Sequence, residues 1–245
     1  MRLLTLNIRM GAGGGSLGKP AYDIPASEKR DAAVSRALRS ANADVVALQE
    51  VRNLRQAERI AGELGMSCLY SPHPSSYSLN FFEWGLALLY RCRMVRQGNF
   101  AVNFDPDVRS GRNGLWAEFE FDGTAFAVIN AHLETRDQAA QLENLANRVS
   151  RATLPTVIMG DFNISPDDAA LRPLKRIMSD SCRAVDTAGS REAERVGTLS
   201  GSRRRIDYIF TATERFRIQN VGLLPERHRR ISDHVGYFAD VDFRG

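Results

Sequence analysis

Short apolar runs alternate with helical patterns along most of the chain. Ten apolar runs are typical of strands and cover residues 2–10, 44–50, 85–91, 94–104, 115–121, 125–132, 156–160, 206–211, 217–223 and 235–243. Helical spacing and helix-start signals predict helices over residues 27–40, 54–64, 136–151 and 166–178. Hairpin signals such as Asp122-Gly123 occur beside these helices, so the pattern predicts two mixed β-sheets packed together with helices outside.

The predicted elements are expected to form one domain covering residues 1–245. A chain of 245 residues allows one large domain or two small ones, but no Pro/Ser-rich linker divides it. The loops over residues 11–26, 72–84 and 186–203 carry no specificity code that the sequence reveals. In the second loop, Phe81, Phe82 and Trp84 are expected to be buried core at the start of a strand.

Composition indicates an ordinary globular protein, with 43% hydrophobic and 25% charged residues. Three cysteines form neither an even set nor a CxxC pair, which favours reduced thiols in a reducing compartment. The amino-terminal residues enter a strand directly, without the apolar region of a signal peptide, and no stretch is long enough to span a membrane. We therefore expect a cytoplasmic protein with no integral membrane association.

Six segments each end a predicted strand with a residue suited to holding a metal ion or a phosphate. Polar residues beside apolar strand residues usually cost burial energy, so six such cases indicate strand ends that converge on one charged site. Carboxylates, carboxamides and imidazoles together are what metal-assisted cleavage of a phosphate ester requires. The residues are Asn7, Glu50, Asn130 and His132, Asp161 and Asn163, Asp207, and Asp233 and His234.

The residue types indicate separate roles within such a site. Glu50 closes an apolar strand, where a cation such as Mg²⁺ would compensate its charge. Asn7 would ligate that metal or orient the carboxylate. Asn130 and His132 lie two residues apart, so a strand would point both side chains the same way. His132 would then donate a hydrogen bond to a phosphate oxygen, with Asn130 also facing the substrate.

The later segments predict acid–base chemistry. Asp161 is the candidate acid or base for the nucleophilic water or the leaving oxygen, and Asn163 would hold the phosphate or orient that water. Asp207 and His234 suggest a carboxylate–imidazole dyad, which leaves Asp233 for the metal. On the strand face that it shares with Asn7, Arg9 would contact the phosphate or be exposed.

The net charge is +4, but the positions of the basic residues along the chain say more about the substrate than this total does. One basic run (Arg203, Arg204 and Arg205) precedes the strand of Asp207, and a second (Arg227, His228, Arg229 and Arg230) precedes Asp233. Two basic runs that flank one candidate site favour an anionic substrate over a merely solvated rim. They do not distinguish a nucleic acid from a smaller anion.

The ordered segments LNIR, LQEV, NAHLE, GDFN, RIDYIF and SDH resemble the endonuclease/exonuclease/phosphatase superfamily, which includes pancreatic deoxyribonuclease, apurinic endonucleases, sphingomyelinases and inositol phosphatases. The resemblance spans residues 3–238. It implies a four-layer α/β sandwich, a requirement for Mg²⁺ or Mn²⁺ and hydrolysis of a phosphate ester. It also implies that Glu50 is the main metal ligand, with Asn7 and Asp233 near it, and that Arg112 contacts the phosphate.

Departures from the family patterns narrow the substrate class. The segments NIRMGAGGG and QEVRN differ from the corresponding motifs of apurinic endonucleases. The segment RRRIDYIF differs from the W-C-D-R-I-L segment of inositol polyphosphate 5-phosphatases, so both of these substrate classes are disfavoured. Three hypotheses follow: a hydrolase of small phosphodiesters or phosphomonoesters, a nuclease of low sequence specificity, or a binding module that has lost catalysis. The third is disfavoured because every expected position holds a competent residue type.

Overall fold

A computed structural model describes residues 1–13, 25, 27–74, 84–105 and 110–244. Within them the chain forms twelve strands and five α-helices. The strands are β1 (Arg2–Asn7), β2 (Val45–Val51), β3 (Ser67–Pro72), β4 (Gly85–Tyr90), β5 (Arg93–Asp105), β6 (Ser110–Phe121), β7 (Thr124–His132), β8 (Thr156–Asp161), β9 (Met178–Asp180), β10 (Asp207–Ala212), β11 (Phe216–Leu223) and β12 (Tyr237–Phe243). The helices are α1 (Glu28–Ala41), α2 (Leu54–Leu64), α3 (Gln138–Ser150), α4 (Arg172–Lys175) and α5 (Ala188–Val196).

The strands build two mixed sheets of six strands each. The first sheet has the order β11-β12-β1-β2-β4-β3, and the second has the order β5-β6-β7-β8-β10-β9. In each sheet one parallel pair, β1 with β2 and β7 with β8, lies among antiparallel neighbours. These parallel pairs bring the carboxyl ends of four strands to the region where the site residues lie.

Alternation along the strands explains how the layers pack. In β1, Leu3 belongs to the core between the two sheets, whereas Leu4 and Leu6 pack on the outer side with α1 and α2. The outer face of the second sheet packs on α3 and α4 through residues such as Leu142 and Phe210. The order of layers is helix, sheet, sheet and helix, which confirms the predicted four-layer α/β sandwich.

Several predicted boundaries were wrong for local reasons. The first strand ends at Asn7 rather than residue 10, because Arg9 and Met10 adopt left-handed backbone angles. The helix predicted over residues 166–178 is reduced to a 3-10 turn and the four-residue α4, followed by β9. The segment 186–203 contains α5, whose start carries a reciprocal cap between Thr187 and Ser190. Strand β3 was also missed.

The predictions about the cysteines, membrane-spanning segments and loops are compared with the structure next. All three cysteines, Cys68, Cys92 and Cys182, are free thiols. In the part of the chain that the structure describes, no helix combines the length and apolar character that crossing a bilayer requires. Phe81 and Phe82 lie outside the described residues, as does most of the 11–26 loop.

A buried amide joins the two sheets next to the candidate site. Asn130, on β7 of the second sheet, donates from Nδ2 to the carbonyl oxygens of Leu48 at 2.9 Å and Ala87 at 2.8 Å in the first sheet. Its Oδ1 accepts from Gln49 Nε2 at 2.8 Å, and Gln49 is in turn bonded to Thr5. The predicted substrate-binding role of Asn130 gains no support from this geometry, because its fully buried amide is bonded within the protein.

Replacing Asn130 should destabilise the fold strongly. Asn130→Leu keeps the approximate volume but removes the buried hydrogen bonds to two carbonyls and to Gln49, so we expect a loss of about 2–4 kcal/mol of unfolding free energy. Urea unfolding measures this. Asn147→Leu, at an exposed position on α3, is the matched control and should change stability by no more than about 0.5 kcal/mol. Equal effects of the two variants would refute the role of the amide.

Candidate active site

Three candidate residues form one row across the second sheet. His132 is in register with Asp161, and Asp161 is in register with Asp207 on the next strand. His132 and Asp161 end the parallel strands β7 and β8, but Asp207 begins the antiparallel β10. The expectation that every segment ends a strand was therefore wrong for Asp207, and also for His234, which precedes β12.

A single carboxylate oxygen is the focus of the site. Oδ2 of Asp161 lies 3.0 Å from Asn7 Nδ2, 3.5 Å from His132 Nε2 and 3.6 Å from His234 Nε2. These three side chains come from β1, β7 and the segment before β12. Burial raises the pKa of Asp161 to about 7, with Asp207 adding to the shift while His234 and Asn7 oppose it. The carboxyl group is thus able to take up a proton near neutral pH.

Asn7 links the focal carboxylate to Glu50. Its Nδ2 donates to Glu50 Oε1 at 2.9 Å as well as to Asp161, while its Oδ1 accepts from the backbone of Arg9 at 2.9 Å. Because Nδ2 bonds two carboxylates, the geometry supports the orienting role of Asn7, and its expected role as a metal ligand stays a prediction. Glu50 itself sits in an irregularity of the β2–β4 pairing with a positive φ of 51°.

Asp207 and His234 are paired as the sequence indicated. His234 Nδ1 lies 2.9 Å from Asp207 Oδ2, and both side chains are buried. Burial alone would lower the pKa of His234, but the carboxylates of Asp207 and Asp161 outweigh it and raise the value to about 10. The imidazole is therefore a cation at neutral pH, with Nδ1–H directed to Asp207 and Nε2–H directed to the focal oxygen.

The segment before β10 holds this pair in place. Thr198 Oγ1 accepts from the backbone N–H groups of Ile206 and Asp207, both at 3.0 Å, and its carbonyl accepts from Val235 N at 2.7 Å. One buried residue thereby fixes the backbone beside both members of the dyad. Thr198 lies in the segment that the sequence left as a loop, and no local signal identified it.

Asn163 and His132 lie next to each other in the site. Asn163 has a positive φ of 54°, and its Nδ2 donates to the Leu133 carbonyl at 3.0 Å while lying 3.3 Å from His132 Nε2. The close approach of β7 and β8 depends on Gly160, where a Cβ atom would lie 1.8 Å from the carbonyl oxygen of Ala131. A side chain at Gly160 would therefore displace both His132 and Asn163.

The position of Arg9 differs from the one that the sequence predicted. It lies in a turn after β1, so the argument that it shares a strand face with Asn7 fails. Its Nε is 3.3 Å from Asp233 Oδ2, and its guanidinium also donates to the Gly13 carbonyl. Arg9 therefore neutralises and orients Asp233, and its expected phosphate contact has no support in this geometry.

Arg112 lies close enough to the buried acids of the site to interact with their charges. Its charge acts on both Glu50 and Asp161, and burial lowers its pKa. The guanidinium carbon lies 4.3 Å from the centroid of the Trp84 ring, and Nε is 3.7 Å from Glu134 Oε1. Trp84, Glu134 and the buried His73 were missed as site residues. Glu134 lies in the NAHLE segment but was given no role, and His73 follows β3, a strand that the sequence pattern did not predict.

The basic runs contribute less free charge than the sequence indicated. Arg205 is buried and donates to both oxygens of Asp180, at 3.1 and 2.6 Å, and also to Glu194. Arg229 is paired with Glu192 at 2.6 Å. Arg205 and Arg229 therefore add little free charge to the argument for an anionic substrate, whereas Arg203, Arg204, Arg227 and Arg230 are exposed.

Glu50 and Asp233 are the acidic pair best suited to a divalent cation. Burial raises the pKa of Glu50, and the nearby charge of Asp233 raises it further, so a cation between them would relieve both effects. Among the described residues, Asn7 is the only side chain that donates a hydrogen bond to Glu50. Ligand atoms of Asp161, Asp207 and His234 also lie within 4.8 Å of one another, but two of these groups already bond to each other.

Comparisons with known proteins agree with this arrangement. The profile of the Endonuclease/Exonuclease/phosphatase family matches residues 4–234. A search of the curated proteins found no match. Among solved structures, a functionally unknown conserved protein from Enterococcus faecalis V583 is similar over 100% of both chains, with a TM-score of 0.80 and 22% identity.

Two further structures carry named activities or ligands. Mannosyl-6-phosphatase Bt3783 from Bacteroides thetaiotaomicron has a TM-score of 0.75 and 20% identity, over 99% of this chain and 100% of the other. TDP2 of D. rerio, complexed with a single-strand DNA product, has a TM-score of 0.72 and 16% identity, over 99% of this chain and 98% of the other. At these identities the likeness establishes the fold alone.

Metal binding should stabilise the protein through Glu50. At a Mg²⁺ concentration of about 100 times Kd, the gain is about 2.7 kcal/mol, or a rise in Tm of roughly 5–10 °C for a chain of this size. Glu50→Gln should abolish most of this rise while increasing the metal-free Tm, because a costly buried charge is removed. Differential scanning fluorimetry with and without Mg²⁺ measures both effects.

The matched control for that experiment is Glu58→Gln, an exposed position on α2 that should keep the full Mg²⁺ shift. An unchanged Mg²⁺ shift in Glu50→Gln would mean that the ion is held elsewhere, for example by Asp161 and its neighbours.

The Asp207–His234 pair should make stability depend on pH. A histidine whose pKa rises from 6.5 to about 10 on folding contributes stability that is complete below pH 6.5 and is lost as the pH rises toward 10. Asp207→Asn removes the main partner, so its destabilisation should be larger at pH 6 than at pH 10. Urea unfolding at both pH values tests this. Asp167→Asn, an exposed partner of Arg183, should show no such trend.

Proposed function

This chain belongs to the endonuclease/exonuclease/phosphatase family, and from that premise we propose that it is a phosphoesterase that uses Mg²⁺ or Mn²⁺. It would hydrolyse a phosphodiester or phosphomonoester by in-line attack of an activated water. The observation that carries the proposal is the focal oxygen of Asp161, which three polar side chains from separate parts of the chain approach within 3.6 Å. A buried acid with that surrounding is suited to proton transfer.

The proposed reaction assigns Asp161 as the base. With a pKa of about 7, its carboxylate takes a proton from the attacking water as the new P–O bond forms and the bond to the leaving oxygen breaks. Asn7 keeps the carboxylate aligned, and Asn163 orients the water. The leaving oxygen takes a proton from solvent, and Asp161 releases the proton that it accepted to solvent, which restores the base.

Cationic and neutral donors would stabilise the phosphoryl oxygens. Protonated His234, held by Asp207, carries Nε2–H toward the focal oxygen, and Arg112 adds a second positive charge. His132 supplies a neutral donor because burial lowers its pKa well below the usual range. A divalent cation held by Glu50 and Asp233 would neutralise further charge on the phosphate.

The charge distribution favours a small ester over a polymer. Arg205 and Arg229 are paired with acids, which breaks up the basic track that a nucleic acid would require. Glu134 lies beside Arg112, so the wall next to the phosphate carries an acid that repels further phosphates. The similarity to a mannosyl-6-phosphatase supports a small phosphorylated substrate, whereas the similarity to TDP2 and the exposed arginines support the alternative nuclease.

Hydrolysis of p-nitrophenyl phosphate and bis-p-nitrophenyl phosphate with Mg²⁺ or Mn²⁺ should reveal activity that EDTA abolishes. Asp161→Asn and His234→Gln should each lower kcat by about 10³-fold or more, because they remove the base and the cation at the reacting phosphate. Asp167→Asn, an exposed aspartate, should retain full activity. Inactivity of the folded, metal-loaded protein on every ester would support the binding module instead.

Plasmid nicking in the same buffers separates the two enzymatic hypotheses. We expect activity on small esters that changes little between about 50 and 200 mM salt, since few phosphates are contacted. Nicking at nanomolar protein that falls steeply with salt and is lost in Asp161→Asn would favour the nuclease.

A further inference from the structure

Two segments of the site have a backbone conformation that needs support from elsewhere. Arg9, Met10 and Gly11 have consecutive positive φ angles of 48°, 54° and 73°, and Glu50 has a φ of 51°. This left-handed conformation is unfavourable for residues with a side chain, and it persists only where surrounding contacts hold it. The turn after Asn7 and the irregularity at Glu50 therefore require partners in other parts of the chain.

One buried amide contacts the backbone of both segments. Gln56 lies in the first turn of α2, and its Oε1 accepts from the backbone N–H of Arg52 at 2.7 Å. Its Nε2 donates to the carbonyl oxygen of Met10 at 3.3 Å. Arg52 is two residues after Glu50, and Met10 is three residues after Asn7. The side chain of Gln56 thus connects the backbone that follows each of these two site residues.

Asp31 fixes the orientation of this amide. Gln56 Nε2 also donates to Asp31 Oδ1 at 2.7 Å, and the buried Asp31 accepts from Arg59 with its other oxygen. A rotation of the amide by half a turn would place its oxygen against the Met10 carbonyl and the Asp31 carboxylate. It would also place the NH2 group against the N–H of Arg52. Only one orientation of the amide satisfies all three partners.

Gly11 shows how closely the turn approaches Gln56 and Asp31. A Cβ atom at Gly11 would lie 2.7 Å from Gln56 Nε2 and 3.0 Å from Asp31 Oδ1, and the φ of 73° also favours glycine. The carbonyl oxygen of Gly11 accepts from Arg30 Nε, on α1, at 2.7 Å. The turn therefore rests on polar groups of α1 and α2, and its position depends on these contacts.

The two segments position the acids that are best suited to a divalent cation. The backbone N–H of Arg9 donates to Asn7 Oδ1 at 2.9 Å, and Arg9 Nε lies 3.3 Å from Asp233 Oδ2. Asn7 in turn donates to Glu50 Oε1 at 2.9 Å. Displacement of the turn would therefore move both Asp233 and the amide that orients Glu50. Displacement of Arg52 would move Glu50 through the backbone.

We propose that Gln56 is a positioning residue that keeps Glu50 and Asp233 arranged for a divalent cation. This inference rests on the proposed function, since the metal requirement belongs to it. The three partners of Gln56 occupy its amide, so Gln56 acts through the two backbone segments and not by contact with an ion or a phosphate. Its loss should weaken metal binding and leave the chemistry of the metal-loaded site nearly unchanged.

Replacement by methionine tests this role. Gln56→Met keeps the length and approximate volume of the side chain but removes both the donor and the acceptor. We expect its Kd for Mn²⁺ to rise by about 10-fold, as is typical for groups that orient metal ligands. The whole metal-free protein is titrated with Mn²⁺, and the electron paramagnetic resonance signal of the free ion gives the bound fraction.

The matched control is Ile60→Val, at a buried position one turn further along α2. It should lower Tm by about 2–4 °C, whereas its Kd for Mn²⁺ should stay within about twofold of the wild-type value. Hydrogen–deuterium exchange of the metal-free proteins provides a second measurement. Exchange in residues 8–12 and 50–53 should be faster in Gln56→Met than in the wild type, and unchanged in Ile60→Val.

Activity at saturating metal separates positioning from direct participation. The kcat of Gln56→Met should return to within about threefold of the wild-type value once Mn²⁺ exceeds the raised Kd. An unchanged Kd in Gln56→Met, an equal rise in Ile60→Val, or a kcat that stays low at saturation would each overturn the role of Gln56. A wild type that binds Mn²⁺ through Glu50 but hydrolyses no ester would defeat the proposed function alone, and one that binds no Mn²⁺ would defeat both.

Discussion

The buried carboxylate of Asp161 is the constraint on which the site depends. A charged acid buried at the carboxyl end of a strand such as β8 destabilises the fold unless polar groups surround it. Burial raises the pKa of Asp161 to about 7. Asn7, His132 and His234 supply that surrounding from three different parts of the chain. Each of these side chains is fixed by its own backbone segment. They reach the same carboxylate only if the two sheets are correctly placed relative to each other.

The relative placement of the sheets is itself set by polar contacts. Apolar packing between two sheets is not directional, so it does not by itself fix the position of one strand end against another. The Asn130 amide adds direction, because it bonds carbonyl oxygens on β2 and β4 from its place on β7. Two residues after Asn130 is His132, and two residues after Leu48 is Glu50. The same contact that joins the sheets therefore aligns the two halves of the site.

Local sequence patterns predicted most elements, but they failed where distant contacts decide the structure. Helix α2 and the hairpin at Asp122-Gly123 follow from local spacing and turn chemistry, and the structure confirmed both. Strands β3 and β9 have no clear alternation and are defined by pairing with β4 and β10. Most motif residues were found because their chemistry coincides with a strand end, whereas Asp207 and His234 stand at or before the start of a strand. Arg205 and His73 were misjudged or missed because their partners lie far away in sequence.

Arg112 is surrounded by side chains to which the sequence analysis gave no role in the site. Trp84 and Glu134 contact Arg112, and His73 packs on Trp84, so these residues come from the segments around β3, β4, β6 and β7. An arginine that lies over an indole with an acid beside it provides one positive charge at a fixed position, and under the proposed function the acid would disfavour a second phosphate nearby. A polymer would need such charges repeated along a track. The pairing of Arg205 and Arg229 with acids removes two of the charges from which that track would be built.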